Sequence, residues 1–339
     1  MTKIFVKKNR IVAIIMLVLL LVAGISTYRW VRIHSGTQVT SLTAERVKAG
    51  LPQYLFTIDG KSNASDPVNS EKSLDEPLAV AVSSDKVFVA DSGRSQIQVY
   101  NRSGKWISTW GKGTLNYPFA LAYGNNSLYI ADPTLMELFS YDINGNEKKS
   151  ILNKQRLQFS NGKQGEIIRP TAVQVGPDNL IYVADVGNQE ILVTDNSGKI
   201  LRYFGGSGTT DGKLQYPNAI FVGRNGKVYV SDTNNARIQI FDQKGEFLSK
   251  ITGSHGKSGP LALPRGLAVT DSGIIFVVDV FSHNLRAFDE DGNELWAFGG
   301  NGQGNEQFNF PNGLCLDNDG RIYVTDRENN RVQVLGYKQ

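Results

Sequence analysis

Cysteine is nearly absent. Cys315 stands alone among 339 residues, which excludes an internal disulfide framework. Histidine is almost as scarce, with only His255 and His283 beyond residue 48. Two histidines without a third ligand nearby do not make a three-histidine zinc site, so no metal and no other cofactor is expected. Long helical periodicities are missing as well. A Gly-x-Ser-x-Gly nucleophile elbow needs a helix behind it, and so does a glycine loop that cradles phosphate. The glycine-rich stretch 253–259 opens no such helix. Cys315, inside the apolar run Leu314-Cys315-Leu316, reads as a small buried hydrophobe. No catalytic residue emerges.

The net charge of +4 conceals a split. Residues 1–48 hold eight basic side chains against one acid, Glu45, so that stretch carries +7 and the remainder −3. Nucleic-acid binders show a net basic domain or a basic stripe. The bulk of this chain is mildly acidic, and no nucleic-acid partner is expected. Lys7, Lys8 and Arg10 precede an apolar run, Ile11–Ile25, which Ser26, Thr27 and Tyr28 extend to 18 residues. That reaches the lower limit for a membrane-spanning helix. Tyr28 and Trp30 stand at interface depth, and the positive-inside rule puts the N-terminus in the cytoplasm. Residues 1–30 are expected to form a cytoplasmic stub and transmembrane signal-anchor, single-pass in the cell membrane. The alternative is a secreted protein cleaved near Val22-Ala23-Gly24. Both place the chain beyond residue 30 outside the cytoplasm. Residues 31–52 read as a polar spacer and 53–339 as one repeat domain.

Prolines mark an internal register at Pro77, Pro118, Pro170, Pro217, Pro264 and Pro311. A short apolar run succeeds each, as in Leu78-Ala79-Val80-Ala81-Val82, and then a turn such as Asp317-Asn318-Asp319-Gly320. The second run ends in Asp every time: Asp91, Asp132, Asp185, Asp232, Asp279 and Asp326. A third run and a fourth ending in Gly complete the unit. Four short strands in 40–50 residues are the signature of a propeller blade. The sixth unit stops after its third run, Val332-Gln333-Val334-Leu335. Its missing fourth is matched by Tyr54-Leu55-Phe56-Thr57-Ile58-Asp59-Gly60, similar to Phe247-Leu248-Ser249-Lys250-Ile251-Thr252-Gly253. The fold expected is all-β: a six-bladed β-propeller closed by an N-terminal strand, which leaves no free edge, and preceded by the membrane helix.

The units resemble NHL repeats. The resemblance is carried by the stretch from Gly226-Lys227-Val228-Tyr229-Val230-Ser231-Asp232 through Thr233-Asn234-Asn235-Ala236-Arg237-Ile238-Gln239-Ile240-Phe241. The last unit repeats it from Arg321 to Val334, and it extends over residues 54–335. It implies an NHL or TolB-like propeller. Such propellers include sensor domains, RNA and protein binders, and a few enzymes. Among these enzymes the peptidyl-amidating lyase uses a metal in its central cavity, and related lactonases hold calcium there. Gln96, Glu137, Glu190 and Asn284 replace the arginine of Arg237 and Arg331 in four units, a departure from the pattern.

The six aspartates read as structural, accepting hydrogen bonds from the next loop in the chain. The residue after each register proline enters the innermost strand at the channel mouth. Leu78 and Phe119 are apolar there, and Thr171, Asn218, Arg265 and Asn312 are polar. With Arg169, just before Pro170, these polar residues suit a small anionic ligand or a peptide carboxylate. The loop 148–169 is basic, with Lys148, Lys149, Lys154, Arg156, Lys163 and Arg169 against Glu147 and Glu166. It offers a surface for anionic envelope polymer or lipid headgroups. The chain is therefore expected to be a tethered binding or scaffold module for a protein, peptide or envelope polymer. The alternative is a propeller enzyme of lyase or lactonase type with a metal in its channel.

Overall fold

Short apolar runs separated by Gly, Asn and Asp turns fold into six antiparallel sheets of four strands each, the blades of a propeller. The structure, a computed structural model, describes residues 47, 50–60, 72–146, 148–153 and 168–337. The segment 11–28 read as an anchor lies outside the described residues, as do most of 31–52 and of the basic loop 148–169. Among the described residues no helix is long and apolar enough to cross a membrane.

Blade one comprises Pro77–Val82, Lys86–Asp91, Gln96–Asn101 and Trp106–Trp110, from the channel outward. Blade two comprises Ala120–Gly124, Ser127–Asp132, Glu137–Asp142 and Lys148–Leu152. Blade three is Pro170–Val175, Ile181–Asp185, Glu190–Thr194 and Ile200–Gly205. Blade four is Pro217–Val222, Val228–Asp232, Arg237–Phe241 and Phe247–Ile251. Blade five is Pro264–Val269, Ile275–Asp279, Asn284–Phe288 and Glu294–Gly299. The sixth sheet holds Pro311–Leu316, Ile322–Asp326, Arg331–Gly336 and, as its outer strand, Gln53–Ile58. That outer strand pairs antiparallel with Arg331–Gly336, from Gln53↔Gly336 to Ile58↔Val332, with a bulge between Tyr54 and Phe56.

The core lies between blades. Six apolar clusters fill the six gaps. Phe88, Ile97 and Trp110 of blade one meet Leu128, Ile130 and Phe139 of blade two. Each sheet is therefore buried on both faces, which is why the second strands are apolar throughout instead of alternating. Each of these strands carries an aromatic at one position: Phe88, Tyr129, Tyr182, Tyr229, Phe276 and Tyr323, all buried. Val47, inside the stretch read as a spacer, is buried against blades five and six, and its carbonyl accepts from Trp296 Nε1 at 3.0 Å. The packed body thus begins before residue 53. Innermost strands approach closely where blades five, six and one meet. A Cβ on Gly266 would stand 2.7 Å from the Asn312 carbonyl oxygen, and one on Gly313 2.6 Å from that of Leu78.

All six strand-ending aspartates are fully buried. As the sequence led one to expect, the following loop donates to five of them, from Thr134 and Leu135 to Asp132, Gly187 and Asn188 to Asp185, Asn235 to Asp232, Ser282 to Asp279 and Asn329 to Asp326. The partner shared by all six is the preceding loop, which leads into the innermost strand. Asp91, Asp185, Asp232 and Asp326 accept from the N–H groups of Asp75, Arg169, Gln215 and Asn309. Asp132 and Asp279 each accept from two, Asn116 with Tyr117 and Ala262 with Leu263. One carboxylate thus ties the loops of its blade together.

Candidate functional site

Two sets of loops meet at one end of the channel, those entering the innermost strands and those leaving the second strands. Backbone bonds stitch them: Val186 N–H to the Arg169 carbonyl, Val280 N–H to Leu263 and Glu328 N–H to Asn309, each at 3.1 Å. Four residues after each buried aspartate the chain turns left-handed, at Ser95, Met136, Gln189, Ala236, His283 and Asn330, with φ from 52° to 58°. Four of these side chains reach the next blade: Ser95 donates its hydroxyl to the Asn116 carbonyl, and the other three act as acceptors. Asn330 Oδ1 accepts from Glu76 N–H at 2.9 Å, Gln189 Oε1 from Tyr216 at 2.5 Å and His283 Nδ1 from Phe310 at 3.1 Å. Glu76, Tyr216 and Phe310 each precede a register proline and are themselves left-handed, φ 48°, 52° and 50°. A proline disfavours helical backbone before it, and bulky residues rarely adopt positive φ. These cross-blade acceptors help to hold that geometry.

Leu78, Phe119, Asn218, Arg265 and Asn312 line the channel cavity. The cavity is narrow, about 80 Å³. It has room for a few waters, against about 300–1,000 Å³ for small-molecule pockets. Contact with a larger ligand therefore belongs to the mouth. Arg265 donates from Nη1 to Asn312 Oδ1 at 2.7 Å, and Asn312 Nδ2 donates to the Leu78 carbonyl at 2.8 Å. Asn218 turns to the Tyr216 carbonyl, 3.1 Å away. Thr171 and Arg169 do not join the cavity. The Thr171 hydroxyl is buried and donates to the Pro217 carbonyl at 2.8 Å. Arg169 is exposed, and its backbone N–H is what binds Asp185.

Arg265 differs from its neighbour Arg327 in having no carboxylate partner among the described residues. Its Nε is buried without a hydrogen-bond partner. Its guanidinium is held below its ordinary pKa, by burial first and by neighbouring Arg327 second, with Tyr117 opposing. Arg327 is itself neutralised, with Nη2 2.9 Å from Glu76 Oε1. Tyr117 OH donates to Glu76 Oε2 at 3.4 Å, and burial with the Glu76 charge raises its phenol. The sequence reading missed Glu76, Tyr117 and Arg327. For Glu76 and Tyr117 a signal was available: the residue before each register proline varies in chemistry from blade to blade, as Glu76, Tyr117, Arg169, Tyr216, Leu263 and Phe310.

His283 is engaged with Phe310, and His255 is exposed in its glycine-rich loop. Among the described residues no three His, Cys, Asp or Glu side chains are grouped to hold a metal ion. The Cys315 thiol is pushed up to about 12 by burial first and Asp317 second, which leaves it a poor nucleophile.

The NHL repeat profile matches residues 74–100, 214–241 and 308–335, in blades one, four and six. These three share one device. Gln98, Gln239 and Gln333 each donate to the buried aspartate seven residues earlier, at 3.4, 2.9 and 3.3 Å. Phe139, Leu192 and Arg286 occupy that place in the other blades. No curated protein matches the chain in sequence. Among solved structures it is similar to a streptogramin B lyase, 12% identical with a TM-score of 0.59, covering 85% of this chain and 98% of the other. It is similar to a gluconolactonase from Xanthomonas campestris, 13% identical, TM-score 0.62, covering 85% and 95%. A protein from Bacteroides thetaiotaomicron is 16% identical, TM-score 0.62, covering 84% and 76%. At these identities the likeness establishes the fold.

Proposed function

We propose that the chain is an extracytoplasmic binding module, tethered through residues 11–28, whose loop face receives a protein or peptide partner at the channel mouth. The observation that carries the reading is Arg265: a mostly buried cation with an unpartnered Nε and no carboxylate of its own among the described residues. A desolvated guanidinium gains most from a carboxylate brought by a ligand. The pairing of Gln53–Ile58 with Arg331–Gly336 supports a further element of the proposal, that the sixth blade is a clasp joining the strand before the first repeat to the last repeat. A clasp of this kind leaves the mouth rigid, as a preformed site requires.

Two measurements test this. The full chain is extracted from membranes in mild detergent and used to capture partners from envelope extract, wild type against Arg265→Ala. Recovery is expected to fall about tenfold or more, in the range of a hot-spot truncation, with an unchanged melting temperature. Equal recovery from both proteins disposes of the mouth. Separately, protease added to intact cells is expected to shed the propeller while the N-terminal stub stays protected. A propeller shielded until the cells are lysed contradicts the assigned topology.

A further inference from the structure

An apolar surface stands beside Arg265. Phe281 is 61% exposed and Phe310 37%. Their rings meet edge-to-face at 6.5 Å, and the His283 ring lies 4.8 Å from that of Phe310. Neither phenylalanine is needed by the interior, where Phe298 and Phe308 fill the gap between blades five and six. Backbone places the pair close to the cation. Val280, next to Phe281, donates its N–H to Leu263, two residues before Arg265. Phe310 is two residues before Asn312, the side chain that Arg265 holds. Two extended residues span at most about 7 Å, so an apolar shelf and an unsatisfied cation share one mouth. Phe310 is kept there in left-handed backbone, with its N–H bonded to His283 Nδ1.

We infer that this mouth binds the C-terminus of a peptide whose last residue is apolar, the free carboxylate on Arg265 and the last side chain on Phe281 and Phe310. This rests on the reading of Arg265 as the anion site. A terminal carboxylate and its own side chain are attached to one Cα, which matches a cation and a shelf at this separation. Aromatic and arginine side chains together are also the commonest anchors of binding interfaces. The neutral amides of Asn218 and Asn312 line the same mouth, and Glu76, the acid beside it, is already engaged by Arg327 and Tyr117.

The probe is a fluorescent hexapeptide ending in Phe, as free acid and as C-terminal amide, titrated against the full chain in detergent by anisotropy. The free acid is expected to bind about tenfold or more tightly than the amide, one charge-assisted contact's worth. Arg265→Ala should erase that difference. Phe281→Ala should weaken the free acid about fivefold or more and leave an acid-over-amide preference, and Phe281→Leu should restore most of the loss. At 61% exposure, Phe281 is replaceable without harm to folding. Equal affinity of acid and amide, or no binding of either at about 1 mM, overturns the inference. If Arg265 still governs partner capture in that case, the mouth stands and the peptide terminus falls. A Phe281→Ala variant that binds the free acid like wild type, or a peptide ending in Ser that binds as well as one ending in Phe, overturns the apolar half.

Discussion

Deleting residues 330–339 is expected to leave a chain that does not fold cooperatively. The strand Arg331–Gly336 lies between Ile322–Asp326 and Gln53–Ile58 and pairs with both. Its loss strands Gln53–Ile58 with no partner and exposes the edge of Ile322–Asp326. Val332, Val334 and Leu335 are fully buried. Val332 and Val334 fill the gap between blades six and one, and Leu335 that between five and six. Losing three such side chains costs about 1.5–3 kcal/mol each. Asp326 also loses Arg331 Nε at 2.7 Å and Gln333 Nε2 at 3.3 Å. A buried carboxylate deprived of its cation adds about 3–5 kcal/mol. The total rivals the whole stability of a typical domain, about 5–15 kcal/mol. Circular dichroism during heating should show no cooperative transition. A truncated chain that melts at the wild-type temperature refutes the clasp.

The features legible in the sequence are those that recur within one blade. The register prolines, the glycine exits and the six aspartates repeat because every blade presents the same two faces to its neighbours. What crosses between blades is not written in any one repeat. Arg265 and Asn312 are 47 positions apart, and Arg327 meets Glu76 over 251. Thr171 illustrates the limit from the other side. It occupies the register position of Asn218 and Arg265, yet its short hydroxyl finds the Pro217 carbonyl and leaves the mouth. Blade five shows how a departure from the repeat is compensated. Asn284 replaces the usual arginine, but Arg286, two places on, points to the same face of its strand. Buried there, Arg286 Nη2 reaches the Gly259 carbonyl at 2.7 Å and Glu294 at 2.5 Å, with Nη1 3.8 Å from Asp279. The aromatic shelf escaped for a simpler reason: Phe281 and Phe310 stand in two loops of different blades, where no periodicity operates.

The same aspartate position should respond unequally to one substitution. Asp232→Asn is expected to cost about 3–5 kcal/mol, a fall in melting temperature on the order of 10 °C. Asp232 accepts from Arg237 Nε at 2.7 Å, Gln239 Nε2 at 2.9 Å, Asn235 Nδ2 and the Gln215 N–H. An amide nitrogen at that place faces donors, and the guanidinium has no acceptor to offer. Asp91→Asn should cost only about 1 kcal/mol or less. Blade one has Gln96 in place of the arginine, 2.8 Å from Asp91 Oδ2. Gln96 can turn its amide over and accept from the new nitrogen. Asp91 carries a pH dependence of its own. Burial is the largest influence on Asp91 and raises it above its ordinary value of 3.8, against the hydrogen bonds of Gln96, Asp75 and Gln98. The folded state then holds that proton more tightly than the unfolded chain. Stability from this group falls as pH rises from about 3.8 through the raised value and is level above it. Asn has no proton to lose, so Asp91→Asn should compare better with wild type at neutral pH than at about pH 3. Urea denaturation of both variants at the two pH values measures this. Equal destabilisation of Asp91→Asn and Asp232→Asn at neutral pH would show that Arg237 does not set the demand for charge at this position.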